Sequence, residues 1–131
     1  MAGYSATPQA RKLGLRAGTR VALVAVPFGW ALDGPPEIVL VDRDEPADIV
    51  VTFARTAAEL TEQVNSQASR IFPDGAMWLL WPRKAAGHRS DVTENGIREV
   101  VLPLGLVDVK VAAVDEDWSG LKIVWRREKR I

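Results

Sequence analysis

The stretch from Asp48 to Trp81 holds the architecture in three pieces: Asp48-Ile49-Val50-Val51-Thr52-Phe53-Ala54, then Thr56-Ala57-Ala58-Glu59 opening a helical pattern, then Met77-Trp78-Leu79-Leu80-Trp81. The first piece is rich in β-branched residues and apolar on both parities, as a strand covered on two faces must be. Thr56 and Glu59 have capping-box spacing, in which each side chain satisfies the other residue's free backbone amide. Leu60, Val64, Ala68 and Ile71 follow at intervals of four, four and three, the stripe of an amphipathic helix that ends before Pro73. Met77 to Trp81 is again apolar on both faces and is stopped by Pro82. Strand, helix and strand in this order predict a parallel pair joined by a helix.

The flanking segments extend this unit. Thr7-Pro8 predicts the cap of a short helix over about Pro8 to Leu13, with Gly14 closing it. Arg20 to Val26 reads as a central strand and Ile38 to Val41 as a further apolar run, separated by a Pro- and Gly-broken segment. Asp91-Val92-Thr93-Glu94 repeats the capping-box spacing, and Ile97, Val100, Val101 and Leu104 line one side of a second helix. From Val107 the period becomes two, with Val109, Val111 and Ala113 on one face and Asp108 and Lys110 on the other. A turn at Asp115 to Gly120 and a second alternating run through Leu121, Ile123 and Trp125 predict an antiparallel hairpin. Arg126 to Arg130 reads as a solvated tail. The expected fold is therefore α/β: one mostly parallel sheet of five to six strands flanked by helices, with a C-terminal antiparallel hairpin. A chain of 131 residues fits a single domain, 1–131, with an ordered core over about 4–127.

Composition removes several chemistries. Seventeen Lys and Arg balance seventeen Asp and Glu, so no global charge attracts nucleic acid. With no cysteine and one histidine, His88, there is no thiolate nucleophile, no Cys-based metal site and no His-rich one. The longest apolar region, Val21 to Leu32, falls short of the ~20 residues a membrane helix needs. No secretory leader is evident, so the cytoplasm is the expected compartment.

Three segments are candidate sites. In open α/β sheets ligands bind beyond the carboxyl ends of strands. The loop Trp81-Pro82-Arg83-Lys84-Ala85-Ala86-Gly87-His88-Arg89-Ser90 places four potential cations between a strand end and a capped helix, and Gly87 permits a turn that aims amides at an anion. A phosphate or carboxylate would be held by Arg83, Lys84, His88 and Arg89; the ordinary alternative is a solvated loop, or one paired with Asp91, Glu94 or Asp115. The turn Asp115-Glu116-Asp117-Trp118-Ser119-Gly120-Leu121-Lys122 is too short and too clustered for a hard-cation cage. It contributes Asp115, Trp118, Ser119 and Lys122 as candidate ligand contacts, with Trp81 lining a pocket from its strand end. Val26-Pro27-Phe28-Gly29-Trp30 lacks the glycines of a dinucleotide loop and reads as an apolar plug. Ser119, His88 and Asp91 or Asp115 nominally supply a hydrolase triad, but the G-x-S-x-G elbow is missing.

Several of these motifs also carry a resemblance. Gly3-Tyr4-Ser5 before Thr7-Pro8, Leu13-Gly14, Gly18-Thr19-Arg20-Val21, Leu80 to Gly87, Asp91 to Glu94, Gly105 to Lys110 and Val114 to Lys122 together resemble a family of small uncharacterised bacterial proteins defined only as a domain of unknown function, over about Gly3 to Arg127. The resemblance implies a Rossmann-like fold and no established activity. Ala85 stands where relatives tend to have serine and Ala112 where some have cysteine, so neither supplies a hydroxyl or thiol here. Leu15 to Val21 is also similar to the "L-x-x-G-x-R-V" opening of Rossmann-like methyltransferases, whose cofactor loop this chain lacks. The expected function is a non-catalytic binding or regulatory module for a small anionic ligand or a protein partner, without cofactor, metal, nucleic acid or membrane. The alternatives are a degenerate or minimal methyltransferase or nucleotide-dependent enzyme, and a protein-binding role through exposed tryptophans and the basic tail.

Overall fold

The computed structural model describes residues 7–131; Gly3-Tyr4-Ser5 and the start of the expected core at residue 4 lie outside them. Among the described residues six strands form one sheet: β1 (Arg20–Val24), β2 (Val39–Leu40), β3 (Ile49–Phe53), β4 (Ala76–Pro82), β5 (Leu106–Ala113) and β6 (Trp118–Trp125). Their order is β2-β1-β3-β4-β6-β5. The pairs β1–β2, β1–β3 and β3–β4 are parallel, whereas β6 runs antiparallel to both β4 and β5. The helices are α1 (Gln9–Lys12), α2 (Ala57–Gln67) and α3 (Glu94–Val101). The mixed α/β class, the helix-flanked sheet and the terminal hairpin are as the sequence demands.

Both faces are covered, which explains the unbroken apolar runs. On one face Leu60 and Val64 of α2 and Ile97 and Val101 of α3 pack on Val50, Met77, Leu79, Leu121 and Ile123. On the other, Leu13 and Leu15 meet Val21, Val51, Trp78, Leu80 and Trp118, with Trp30 and Leu32 of the β1–β2 connection added. Trp78 and Trp81 point to opposite faces, as their parity requires. The Trp78 indole is buried and donates to the Leu13 carbonyl at 3.1 Å.

Local details depart from the expectations for identifiable reasons. Pro8, not Thr7, stands at the cap of α1 and supplies no side-chain bond. β1 ends at Val24 because Ala25 adopts a left-handed conformation, φ 57°. Thr56 caps α2 by accepting from the Glu59 amide at 3.1 Å, but the Glu59 carboxylate reaches one residue further back, to the Arg55 amide at 2.7 Å. The second helix is capped by Thr93, which accepts from Gly96. Asp91 instead accepts from the Ala57 amide at 2.8 Å and ties the starts of α2 and α3 together. Leu104 lies outside the buried stripe, since a 3-10 turn over Leu102–Leu104 carrying Pro103 breaks the helical phase. The Ile38–Val41 run is a two-residue edge strand with Val39 and Leu40 exposed. In β5, Asp108 pairs with Ile123 and Lys110 with Lys122, so Val109 is the extra residue of a bulge. The bulge inverts the alternation, placing Leu106 and Asp108 on the α3 face before it and Val111 after it. The expected tail is docked through its backbone: Arg126 donates its amide to Gly105, and the Arg130 guanidinium donates to the Trp125 carbonyl.

Candidate functional site

Parallel pairing brings the carboxyl ends of β1, β3 and β4 to one rim, and antiparallel pairing brings the start of β6 and the end of β5 to the same rim. Pro82 lies opposite Trp118, and Ala113 opposite Ser119. The loop after β4 and the β5–β6 turn are thereby neighbours. The Arg83 amide donates to the Asp117 carbonyl at 2.8 Å. Arg83 as a whole is 7% exposed, and its guanidinium donates to the carbonyls of Glu116 at 2.8 Å and Asp115 at 3.3 Å. Carbonyl dipoles thus meet a charge that burial would otherwise make costly. Lys12 comes in from α1, its ammonium donating to the Ala113 carbonyl at 2.6 Å. Burial lowers its pKa from 10.5, and the Arg83 charge lowers it further, while Asp115 opposes both.

Asp115 is the hub of the turn. One carboxylate oxygen accepts from the amides of Asp117 and Trp118, each at 2.9 Å. The other accepts from the Trp30 indole at 3.0 Å and the Gln9 amide group at 3.3 Å. Trp118 is buried, which removes it from the exposed tryptophans that the protein-binding alternative needs: its ring meets Phe53 edge-on at 5.1 Å, and Phe53 meets Trp30 at 4.8 Å. The Arg55 guanidinium lies 5.1 Å from the centre of the Trp118 ring. Gly87, at φ 85°, turns the loop back, and His88 contacts the Asp117 carboxylate at 2.9 Å in a solvent-exposed pair. Asp91 is engaged at α2 while His88 faces Asp117, so the nominal triad with Ser119 is dispersed. Lys84 and Arg89 are exposed.

These contacts leave two hollows of different size. The larger, about 860 Å³, straddles the end of the edge strand β5 and is lined by Arg11 and Lys12, by Trp81, Arg83, Lys84 and Ala85, and by Lys110 to Ala113, Thr7 and Ser119. Among these described residues five are basic and none is acidic. Arg11, Lys84 and Lys110 are exposed and have no ion-pair or side-chain hydrogen-bond partner among the described residues. The smaller, about 240 Å³, lies between the Pro27–Trp30 loop, Arg55, Pro82, His88, Asp117 and Trp118. Of the residues singled out in the sequence, Trp81, Arg83, Lys84 and Ser119 line the larger hollow, and His88 and Trp118 the smaller. Gly87, Arg89 and Asp115 line neither, nor does Lys122, which sits on β6 between Trp78 and Lys110, the latter a lining residue of the larger hollow. Sequence reasoning missed Arg11, Lys12 and Lys110, whose meeting depends on where α1 docks. Among the described residues no group of three or more acidic, His or Cys side chains could hold a metal ion, and no helix is long and apolar enough to cross a membrane.

Solved structures share this fold at low identity. The ribosomal protein L11 methylase of Lactobacillus delbrueckii subsp. bulgaricus superposes with a TM-score of 0.57 at 14% identity, covering 91% of this chain and 76% of that one. Aeropyrum pernix fibrillarin, solved with natively bound S-adenosyl-L-methionine, gives 0.55 at 15% identity over 88% and 73%. A Streptococcus agalactiae protein of the NADB-Rossmann superfamily gives 0.54 at 8% identity over 95% and 70%. At such identity the likeness establishes a Rossmann-like fold and nothing of the chemistry. No curated protein matches the chain. The model of the family described as "Protein of unknown function (DUF3052)" matches residues 34–127, well over half of the chain, and the protein belongs to that family.

Proposed function

We propose that this protein is a binding module for a small anionic molecule, and that the ligand occupies the hollow beside β5. The observation that carries the reading is the convergence of Arg11, Lys84 and Lys110, exposed and without partners among the described residues, on one concavity of about 860 Å³. That volume falls within the range of small-molecule pockets. Behind the three, Arg83 and Lys12 add positive potential while donating to the carbonyls of Glu116 and Ala113. An anion entering here relieves mutual repulsion, so its affinity should fall as salt rises.

Thermal-shift titration with inorganic phosphate and small carboxylates tests this. Stabilisation is expected for the native chain and should vanish in the combined variant Arg11→Ala, Lys84→Ala, Lys110→Ala. Arg83 is a poor choice for such a test, because its loss would also release the β5–β6 turn. No stabilisation by any anion would refute the proposal.

A second reading, a reduced methyltransferase or nucleotide-dependent enzyme, draws support from the fold shared with the S-adenosylmethionine-bound fibrillarin. Its cofactor would need the carboxyl end of β1, where Trp30 and Trp118 border a hollow of about 240 Å³ and Phe53 and Trp118 one of about 170 Å³. Calorimetry with S-adenosylmethionine at millimolar concentration separates the two, since heat of binding is expected only under the enzyme reading.

A further inference from the structure

The bulge in β5 separates two charges that strand alternation would otherwise keep on one face. Asp108 stays on the face covered by α3, where the Arg98 guanidinium donates to its carboxylate at 3.0 Å. Lys110 is turned to the opposite face, the one carrying α1, and stands there in register with Lys122, which in turn lies opposite Trp78. Two like charges thus meet across one ladder pair, an arrangement that costs stability unless an anion compensates it. Their neighbours in register on that face, Val107 and Val124 on one side and Ala112 and Gly120 on the other, include no acid. Lys110 is exposed and Lys122 half-buried, and neither has an ion-pair or side-chain hydrogen-bond partner among the described residues. The α1 segment packs over this same face, with the Leu13 carbonyl accepting from the Trp78 indole, and brings Arg11 to the hollow that Lys110 lines. Lys110 is therefore the shared member: it borders the hollow with Arg11 and pairs with Lys122.

We infer that this face is a diphosphate site, with Arg11, Lys110 and Lys122 together holding two linked phosphoryl groups. The inference rests on the anion site proposed above, extends it along the α1 face of β5 and β6, and names the anion. A single phosphate leaves part of the three charges uncompensated. A diphosphate concentrates more charge in a small volume than carboxylates spread on a carbon frame, and Coulomb attraction grows as the charges come closer. Arg11 supplies a planar fork for two oxygens, and the lysines supply point charges.

The experiment is isothermal titration of the full chain with inorganic phosphate, inorganic diphosphate and citrate, repeated on Lys122→Met and Lys122→Glu, with thermal unfolding of each chain without ligand. Diphosphate is expected to bind about tenfold more tightly than phosphate or citrate, a difference of about 1.4 kcal/mol. Lys122→Met keeps an apolar stem opposite Trp78 and removes only the charge. It should bring diphosphate to within about twofold of phosphate while leaving phosphate within about twofold of its native affinity. Lys122→Glu sets opposite charges across the pair, so without ligand it should unfold about 2 °C above the native chain while losing the diphosphate preference. Equal affinity for the three anions, or a diphosphate preference that survives Lys122→Met, would overturn the diphosphate assignment and leave the anion site standing. Citrate binding as tightly as diphosphate would overturn the phosphoryl class. A Lys122→Glu chain no more stable than the native one would overturn the uncompensated pair. Failure of every anion to bind would remove the anion site itself, and the inference with it.

Discussion

Two parts of the same rim have opposite character. Above β1 and β3, on either side of which the chain builds the two halves of its sheet, Trp30, Phe53 and Trp118 stack edge to face and are pinned by the four hydrogen bonds of Asp115. Beside β5, alanines at 85, 112 and 113 leave a hollow more than three times larger, bordered by Arg11, Lys84 and Lys110, which have no ion-pair partner among the described residues. Open α/β sheets usually take ligands at the first of these places, where strand order reverses. Here large rings narrow that crevice to hollows of about 240 and 170 Å³, and small residues leave a larger one at the sheet edge, where the anion site is proposed.

This contrast implies that substitutions in the closed region cost stability, whereas those in the open region cost binding. Trp118→Ala removes a buried ring from the aromatic cluster and should lower unfolding stability by about 3–5 kcal/mol, read from urea denaturation. An effect below about 1 kcal/mol would show that the cluster is not packed as described. Asp115→Ala strips acceptors from two amides, an indole and a glutamine, and should cost about 2–3 kcal/mol by the same measurement. Asp117→Ala, two residues away in an exposed pair with His88, should change stability by only about 0.5 kcal/mol. Equal costs for Asp115 and Asp117 would contradict the hub. The triple variant at Arg11, Lys84 and Lys110 should unfold within about 0.5 kcal/mol of the native chain.

The smallest expected effect concerns pH. Burial and Arg83 depress the Lys12 pKa below 10.5 in the folded chain, so between the folded and unfolded values the unfolded chain binds more protons. Stability contributed through this group therefore rises with pH across that alkaline window. Lys12→Met should lack the rise, and the difference in stability between native and variant should shift in favour of the native chain as pH approaches 10.5. A difference independent of pH would contradict the depressed ammonium.

The fold was largely legible because its signals are local or periodic. Leu60, Val64, Ala68 and Ile71 are all buried, as their spacing requires, and β3 and β4 are apolar on both faces because both are covered. What failed to show was the consequence of long-range placement. Val109 stands exposed because a bulge inserts it between pairs, and no pattern within β5 announces that. Val39 and Leu40 look like core residues and lie at an edge, since sheet order is fixed by packing rather than by strand composition.

The candidate site was legible in half. Loop and turn do share a rim, because antiparallel β6 returns the chain to the end of β4. Yet Arg83 faces carbonyls of the turn, His88 faces Asp117, and Asp115 faces Gln9 and Trp30. Charge in a loop specifies that partners are needed, not which partners satisfy it. Arg11 and Lys12 lie about a hundred residues from Ala113 in sequence, and only the docking of α1 brings them to the hollow.

Amide chemical-shift mapping during titration with inorganic phosphate tests the placement most directly. The account predicts saturable shifts at Arg11, Lys84, Ala85 and Lys110 to Ala113, with the Phe28 to Trp30 amides unmoved. Shifts concentrated at Phe28 to Trp30 and Arg55, with the end of β5 silent, would place the ligand over β1 and contradict it.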